Sequence, residues 1–233
     1  SETVRFDGTI KRQSLGGFEN ITYAMLGSIT IASGTTVSIE PGVVIKGGGN
    51  NALFIEGALI ANGNSANGPI IFTSIKDDNI GNPTDTNNDG NGSAPDNGDW
   101  GALVFRSSAD DVSSSIDNIQ VKFGTHGIVM QNASVSVRNS TISNSAFWGL
   151  ALEQESSPSI EQVEIRNSTL EPIAISVNAS PNFSEIIFND NRANGLFLIE
   201  SYTNVGGNFL STNNSIITRN ATLSKRTVAG IEN

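Results

Sequence analysis

Residues 160–167 read Ile-Glu-Gln-Val-Glu-Ile-Arg-Asn, and the same order of apolar and polar positions returns at 183–190 as Phe-Ser-Glu-Ile-Ile-Phe-Asn-Asp. The first residues of the two segments are 23 positions apart (183 − 160 = 23), and a third copy, Val-Arg-Asn-Ser-Thr-Ile-Ser-Asn at 137–144, begins another 23 positions earlier (160 − 137 = 23). A constant period in the low twenties, made of short strand-like pieces, is typical of a solenoid.

The spacing within each copy favours strands over helices. Val163 and Ile165 are separated by one polar residue, and this two-residue alternation places both side chains on one face of a strand. Asn, Ser, Gly and Pro occupy the intervening segments, where they favour turns and interrupt helices. The repeat therefore predicts an all-β fold, a single-stranded parallel β-helix with about 22–23 residues per turn and roughly seven turns.

Stacking of successive turns predicts columns of equivalent side chains about 4.8 Å apart. The inward columns are predicted to be Val137/Ile160/Phe183 and Val121/Ile142/Ile165/Phe188. A third column, Asn144/Asn167/Asp190, falls at a turn, where the side chains serve as turn residues and can also form a hydrogen-bonded ladder. The N-terminal half shows the same alternation less regularly, for example in Val37-Ser-Ile39 and Leu53-Phe-Ile55.

The segment 27–46, Gly-Ser-Ile-Thr-Ile-Ala-Ser-Gly-Thr-Thr-Val-Ser-Ile-Glu-Pro-Gly-Val-Val-Ile-Lys, carries a family resemblance. It is similar to the opening turn of right-handed parallel β-helix repeat domains in large bacterial cell-surface and secreted proteins, and the similarity continues to about Phe105. The resemblance implies a right-handed coil and an extracellular or bacterial cell-surface location.

The amino-acid composition excludes some classes of function and partner. The chain has 233 residues, a formal net charge of −10 and no cysteine. Such acidity argues against nucleic acid as a partner, because phosphates require Lys and Arg. No apolar run is long enough for membrane insertion. We therefore expect a secreted protein stabilised by ladder hydrogen bonds and bound metal instead of disulfides.

The two ends of the chain resemble each other. Gly17-Phe-Glu-Asn20 returns as Gly230-Ile-Glu-Asn233, and Ile10-Lys-Arg12 as Ile217-Thr-Arg219. The predicted organisation is an N-terminal cap or linker at 1–26, the β-helix at 27–213 with a long acidic loop at 77–99, and a C-terminal cap or linker at 214–233 that resembles the start of a next tandem module. Neighbouring modules of the same chain are thus expected partners.

The acidic loop carries the one pattern with ligand chemistry. Its oxygen-bearing residues alternate as in the first half of an EF-hand calcium loop, and Gly90 permits the sharp turn. Calcium binds six to eight such oxygens. The predicted calcium ligands are Asp85, Asn87, Asp89, Asn91 and Asp96, with Asp77, Asp78 and Asp99 as flanking carboxylates. A solvated loop without metal is the alternative.

Two further features bear on function. Phe147 and Trp148 interrupt a turn of small polar residues, where they would stack on sugar rings or pack under a neighbouring loop. Arg106, Lys122 and Arg138 are candidate bases if the chain is a calcium-dependent polysaccharide lyase, and His126 is a further candidate base; a glycoside hydrolase would need paired carboxylates instead. The favoured interpretation is non-enzymatic: a calcium-stabilised β-helix module acting as a rigid spacer or as an adhesive domain that contacts extracellular polysaccharide or cell-surface glycan. The carbohydrate-active enzyme is the alternative.

Overall fold

The computed structural model describes residues 1–193 and 195–199, and beyond them only the short strands at 204–205, 208–209, 227–228 and 231–232. Three parallel sheets run the length of the described part, and each turn of the chain adds one strand to each sheet. No helix in the described residues is long and apolar enough to cross a membrane.

Sheet 1 has eight strands. They are β1 (Glu2–Val4), β4 (Ile29–Ile31), β7 (Leu53–Ile55), β10 (Leu103–Phe105), β13 (Ile128–Gln131), β16 (Leu150–Glu153), β19 (Ile173–Ser176) and β22 (Leu196–Ile199). Sheet 2 has seven strands. They are β2 (Gly8–Ile10), β5 (Thr36–Ile39), β8 (Ala58–Asn62), β11 (Ser115–Asp117), β14 (Val137–Arg138), β17 (Ser159–Glu161) and β20 (Asn182–Ser184).

Sheet 3 also has seven strands. They are β3 (Tyr23–Met25), β6 (Val44–Gly47), β9 (Ile70–Ser74), β12 (Ile119–Lys122), β15 (Thr141–Ser143), β18 (Glu164–Arg166) and β21 (Ile187–Asn189). Two antiparallel pairs lie further along the chain: β23 (Asn204–Val205) with β24 (Asn208–Phe209), and β25 (Thr227–Val228) with β26 (Ile231–Glu232). Eight strands in sheet 1 give about eight coils, one more than the sequence predicts.

The predicted columns are confirmed by the strand register. Val137 pairs with Ile160, which pairs with Phe183. Ile142 likewise lies between Val121 and Ile165, and Phe188 completes the column. These side chains belong to one continuous apolar core enclosed by the three sheets.

The corner residues adopt the left-handed backbone conformation. Asn144, Asn167 and Asp190 have φ of 58°, 55° and 52°. Asn and Asp tolerate this region better than other residues with side chains, which explains their recurrence at the turn. The amide of Asn144 donates to the carbonyl of Arg166, and that of Asn167 donates to the carbonyl of Asn189, at 3.1 Å each. The turn position predicted for this column is thus confirmed.

The β-helix begins earlier than the predicted boundary at residue 27. Strands β1, β2 and β3 all lie within 1–26 and pair in parallel with β4, β5 and β6. The stretch predicted as a cap or linker therefore contains a first complete coil. Most of the predicted C-terminal segment, 214–233, lies outside the described residues.

Candidate metal site in the acidic loop

The acidic loop leaves the rod after β9 and returns before β10. At its C-terminal end Trp100 is buried, and its indole Nε1 donates a 2.7 Å hydrogen bond to the carbonyl of Lys122. Gly47 in β6 makes room for this ring, since a Cβ there would lie 3.0 Å from the Cβ of Trp100. Trp100 therefore packs the C-terminal end of the loop onto the rod.

A buried lysine lies beneath the loop. Lys46 in β6 has no exposed surface, and its Nζ donates to the main-chain carbonyls of Asp77, at 2.8 Å, and Thr84. Burial lowers the pKa of Lys46, while the neighbouring carboxylates of Asp77, Asp78 and Asp85 act in the opposite direction. Sequence analysis missed this residue because a lysine at an outward strand position normally lies in solvent.

Two of the predicted metal ligands form ion pairs instead. Asp77 is buried, accepts a 2.7 Å hydrogen bond from Thr73 and lies 3.1 Å from the Nζ of Lys122. Burial by itself would raise the pKa of Asp77, but the hydrogen bonds from Thr73 and Lys122 outweigh it and leave the pKa lowered. The carboxylate is therefore ionised and already has a cationic partner.

Asp99 is held in the same way. It lies 2.7 Å from the Nζ of Lys76 and accepts hydrogen bonds from the Ser74 hydroxyl and the Asp96 amide. Burial opposes ionisation, yet the bonds from Lys76 and Ser74 lower the pKa of Asp99 overall. Asp77 and Asp99 thus fix the two ends of the loop to the rod.

Further hydrogen bonds attach the loop to coils at both ends of its path along the rod. The backbone amide of Asn82 donates to the hydroxyl of Thr22 in the first coil, and the amide of Thr22 donates to the carbonyl of Asn82. The side-chain amide of Asn82 also donates to the carbonyl of Glu19. At the other end, the side-chain amide of Asn97 donates to the Thr169 hydroxyl at 3.1 Å, in the sixth coil. The loop therefore spans the first six coils, about 24 Å at the usual strand spacing.

Three carboxylates converge in the middle of the loop. One oxygen from each of Asp78, Asp85 and Asp89 lies within 4.8 Å of the other two. The Asp85 carboxylate also accepts hydrogen bonds from the amides of Asp89, at 3.2 Å, and Gly90, at 2.9 Å. This turn is the local structure that the Asp-x-Asn-x-Asp-Gly spacing predicts.

Asn87 adds a fourth oxygen to this region. Its side-chain amide donates to Asp89 at 2.9 Å and to the Ser93 hydroxyl at 3.1 Å. The remaining side-chain oxygen, Oδ1 of Asn87, is buried without a protein hydrogen-bond donor, and the same holds for Oδ1 of Asp78. Carboxylate and amide oxygens are the ligands that hard divalent cations prefer.

The predicted EF-like ring is not the arrangement found. Asp96, the last of the five predicted loop ligands, is exposed, and its Oδ1 accepts a hydrogen bond from the amide of Asn97 at 2.8 Å. Asp78, from the start of the loop, joins Asp85 and Asp89 in its place. Asn91 is exposed. The structure thus brings together three of the eight predicted ligands, Asp78, Asp85 and Asp89, and Asn87 is hydrogen-bonded to Asp89 through its side-chain nitrogen.

The predicted aromatic pair lies on the outer face of sheet 1. Trp148 is only 1% exposed, packs against Ala151 and Ala174, and has its ring centroid 5.4 Å from that of Phe197. Its indole is therefore a packing group with no open face for a sugar. Phe147 keeps 36% of its surface exposed and stacks on His126 at 5.3 Å.

The candidate bases also have structural partners. Burial lowers the pKa of His126 to about 3, so the imidazole is neutral at physiological pH. Arg106 lies 2.7 Å from Glu56, and Arg138 lies 3.5 Å from Glu161. Together with the Lys122–Asp77 pair, these contacts give each of the four residues a role in holding the rod together.

One buried carboxyl was missed by sequence analysis. Glu153, in β16, is 1% exposed and accepts a 3.1 Å hydrogen bond from the Gln131 side chain in the coil before it. Burial raises the pKa of Glu153 to about 8, and the bond from Gln131 only partly offsets this effect. Its outward position in the strand predicts exposure, so the sequence gives no signal of the burial.

Comparison with known proteins agrees with the fold. The profile of a family described as "Right handed beta helix region" matches residues 94–232, more than half of the chain. No curated protein and no solved structure matches the sequence. The strand ladders upstream of residue 94 continue those of the matched part in the same register. The chain therefore belongs to the right-handed β-helix family.

Proposed function

We propose that this chain is a non-enzymatic, calcium-stabilised β-helix module of a bacterial surface or secreted protein, where it acts as a rigid spacer. The observation that carries the proposal is the acidic loop, which is hydrogen-bonded to the rod from the first coil to the sixth and holds the Asp78/Asp85/Asp89 cluster at its centre. A cation bound there would stiffen the loop and, through it, the rod.

The negative charge of the acidic loop supports the proposal of a bound cation. Residues 77–99 contain six aspartates and neither Lys nor Arg. Lys46, Lys76 and Lys122 compensate the ends of the loop, where Asp77 and Asp99 lie. Asp78, Asp85 and Asp89 repel one another at their observed separation, and a divalent cation among them would turn this repulsion into attraction.

The surroundings of the candidate bases give less support to the alternative function, a carbohydrate-active enzyme. A lyase needs a basic residue free to take a proton, and a glycosidase needs two carboxyl groups facing one bond of the sugar. The basic residues considered for this role are neutral and buried, as His126 is, or held in ion pairs, as Arg106, Lys122 and Arg138 are. Phe147 remains as a half-exposed aromatic surface for an adhesive contact with glycan.

Calcium titration monitored by thermal unfolding tests the proposal. A ligand that binds only the native state stabilises it by about 2.7 kcal/mol when its free concentration is 100 times the dissociation constant. For a domain of this size, that corresponds to roughly 5–10 °C in Tm. A melting temperature that responds to neither calcium nor chelator would exclude the metal site.

Two variants locate the effect within the loop. Asp89→Ala should remove the response to calcium, because it deletes one member of the cluster. Asp96→Asn is the matched control, since its carboxylate lies outside the cluster and an amide oxygen can still accept the bond from Asn97. Loss of the response in Asp96→Asn as well would favour the EF-like ring over the observed cluster.

A further inference from the structure

The corner between sheet 3 and sheet 1 contains a buried column of small polar side chains. Ser145, Ser168 and Asn191 each follow the corner residue with positive φ, in the fifth, sixth and seventh coils, and they are 23 residues apart (168 − 145 = 23 and 191 − 168 = 23). Gly124 holds the same place in the fourth coil, after Phe123. Ser145 is fully buried and Ser168 is 3% exposed, so the protein encloses both hydroxyl groups.

Asn191 shows what a side chain at this position does. Its Oδ1 accepts a 3.0 Å hydrogen bond from the amide of Ser168, and its Nδ2 donates at 2.9 Å to the carbonyl of Ile165. Ile165 and Ser168 lie three residues apart, on either side of the corner in the coil before (168 − 165 = 3). A side-chain amide from the seventh coil thus closes the corner of the sixth, where an ordinary four-residue turn is closed by a backbone hydrogen bond.

Serine is too short to make the same two bonds. One coil earlier, the register makes the carbonyl of Ile142 and the amide of Ser145 equivalent to the two groups that Asn191 binds. The side chain opposite them is Ser168, whose Oγ is buried without a hydrogen-bond partner among the described residues, so it does not reach the amide of Ser145. The Oγ of Ser145 is likewise buried without a partner there, opposite the corner that contains Gly124.

The polar groups around each serine select the kind of ligand that fits. They are a hydroxyl, a backbone N–H that donates and a backbone carbonyl that accepts. A cation cannot accept the bond from the amide, and an anion cannot donate to the carbonyl. A water molecule does both, and an internal water needs two to four such partners. The serine side chain is shorter than that of asparagine by two non-hydrogen atoms, which is the room that one water requires.

We infer that this column binds one internal water molecule beside Ser168 and one beside Ser145, and that each water closes a corner as the Asn191 amide does in the sixth coil. Beside Ser168, the water accepts from the amide of Ser145, donates to the carbonyl of Ile142 and shares a hydrogen bond with the hydroxyl. A backbone carbonyl has two lone pairs, so it accepts this bond in addition to a strand bond. Beside Ser145, the corresponding backbone groups of the fourth coil take these bonds.

The same corners carry the far attachment of the acidic loop. The Nδ2 of Asn97 donates to the carbonyls of Ser145, at 3.4 Å, and Asn167, at 3.3 Å, besides the Thr169 hydroxyl. The carbonyl of Ser145 belongs to the corner that the water beside Ser168 closes, and that of Asn167 to the corner that Asn191 closes. The attachment of the loop therefore depends on water at one corner and on an asparagine at the next.

Two reciprocal substitutions test this inference. Ser168→Asn supplies the carboxamide and should displace one water, whereas Asn191→Ser removes it and should admit one. Oxygen-17 magnetic relaxation dispersion counts the water molecules held inside a protein for longer than it takes to tumble. The count should fall by one in the first variant and rise by one in the second, relative to the wild type. Chelator in every sample keeps the cation site of the acidic loop out of the comparison.

Thermal unfolding gives a second readout. Ser168→Asn should raise Tm by about 2–4 °C, because the released water regains its freedom, and Asn191→Ser should lower it. Ser157→Asn is the matched control with an unchanged water count, since the exposed Ser157 already accepts a hydrogen bond from the amide of Ser180. An unchanged count in either test variant would overturn the inference. If Ser168→Asn does not fold, Asn191→Ser decides alone, because it removes atoms and adds none.

Discussion

The Nζ of Lys46 lies 2.8 Å from the carbonyl oxygen of Asp77 and thereby joins the second coil of the rod to the start of the acidic loop. The bond is out of contact with water, and the same ammonium group donates to Thr84 further along the loop. A buried cation thus fixes the loop backbone beside the Asp78/Asp85/Asp89 cluster.

Replacing this lysine should have opposite effects on stability and on metal binding. Lys46→Met keeps the volume but leaves the buried carbonyl of Asp77 and the part-buried carbonyl of Thr84 without this donor, so we expect a loss of about 1–3 kcal/mol in the free energy of unfolding without metal. The stabilisation produced by calcium should increase, because a positive charge near Asp78 and Asp85 has been removed. Melting with and without calcium measures both effects.

An exposed lysine provides the control for this prediction. Lys11→Met removes the same charge from the chain at a position in solvent. It should change neither the melting temperature nor its response to calcium by a comparable amount. If calcium stabilises Lys46→Met less than the wild type, then Lys46 supports the cation site and does not compete with it.

The sequence repeat predicts the core, because the period of the repeat and the stacking of the core side chains both follow from coils of equal length. Ile142 and Ile165 are 23 residues apart and inward-facing, so stacking of equal coils places one over the other. The loop follows no such rule. Whether Asp78 or Asp96 joins Asp85 depends on contacts of the loop with Lys46, Lys122 and Thr169, which come from three different coils.

The same difference, between a local repeat and contacts made by other coils, applies to the burial of Trp148 and Glu153. Glu153 occupies an outward strand position that predicts exposure, and for Trp148 the sequence left open stacking on sugar rings or packing under a loop; both are buried. Trp148 is covered because Ala151 and Ala174 leave space on the outer face of sheet 1. Small residues at two successive outward positions are the one signal in the sequence that could have indicated this packing.

The burial of Glu153 should make stability depend on pH. Its pKa in the folded state is about 8, above the ordinary value of 4.5, so its contribution is fully present below pH 4.5 and is lost as the pH rises through 8. Between these values, the free energy of unfolding should fall with pH by at most about 1.4 kcal/mol per unit from this group.

Glu153→Gln removes the titrating group and keeps a hydrogen-bonding side chain beside Gln131. Its stability relative to the wild type should therefore rise from pH 5 to pH 8 in urea unfolding. Glu185→Gln, at an exposed position, should follow the wild-type pH profile. Parallel profiles for Glu153→Gln and the wild type would show that Glu153 is already ionised in the folded state at neutral pH.

Truncation within a core column should be costly. Ile165 is fully buried between Ile142 and Phe188, and Ile165→Ala should cost about 2–5 kcal/mol through lost burial and the remaining cavity. Ile187→Ala is the matched control from the same sheet, because this side chain is 54% exposed on the outer face. Equal losses for the two variants in urea unfolding would contradict the observed register.

The corner column gives a prediction about backbone conformation. Asn167 has a φ of 55°, which glycine adopts freely and β-branched residues adopt at a cost of about 1–2 kcal/mol. Asn167→Gly should therefore be close to wild type in urea unfolding, and Asn167→Val should be destabilised by roughly that amount. If a side-chain ladder stabilised the corner instead, Gly and Val would be equally harmful, because neither can donate or accept through its side chain. The order of the two variants thus shows whether a side-chain ladder adds to the stability of this corner.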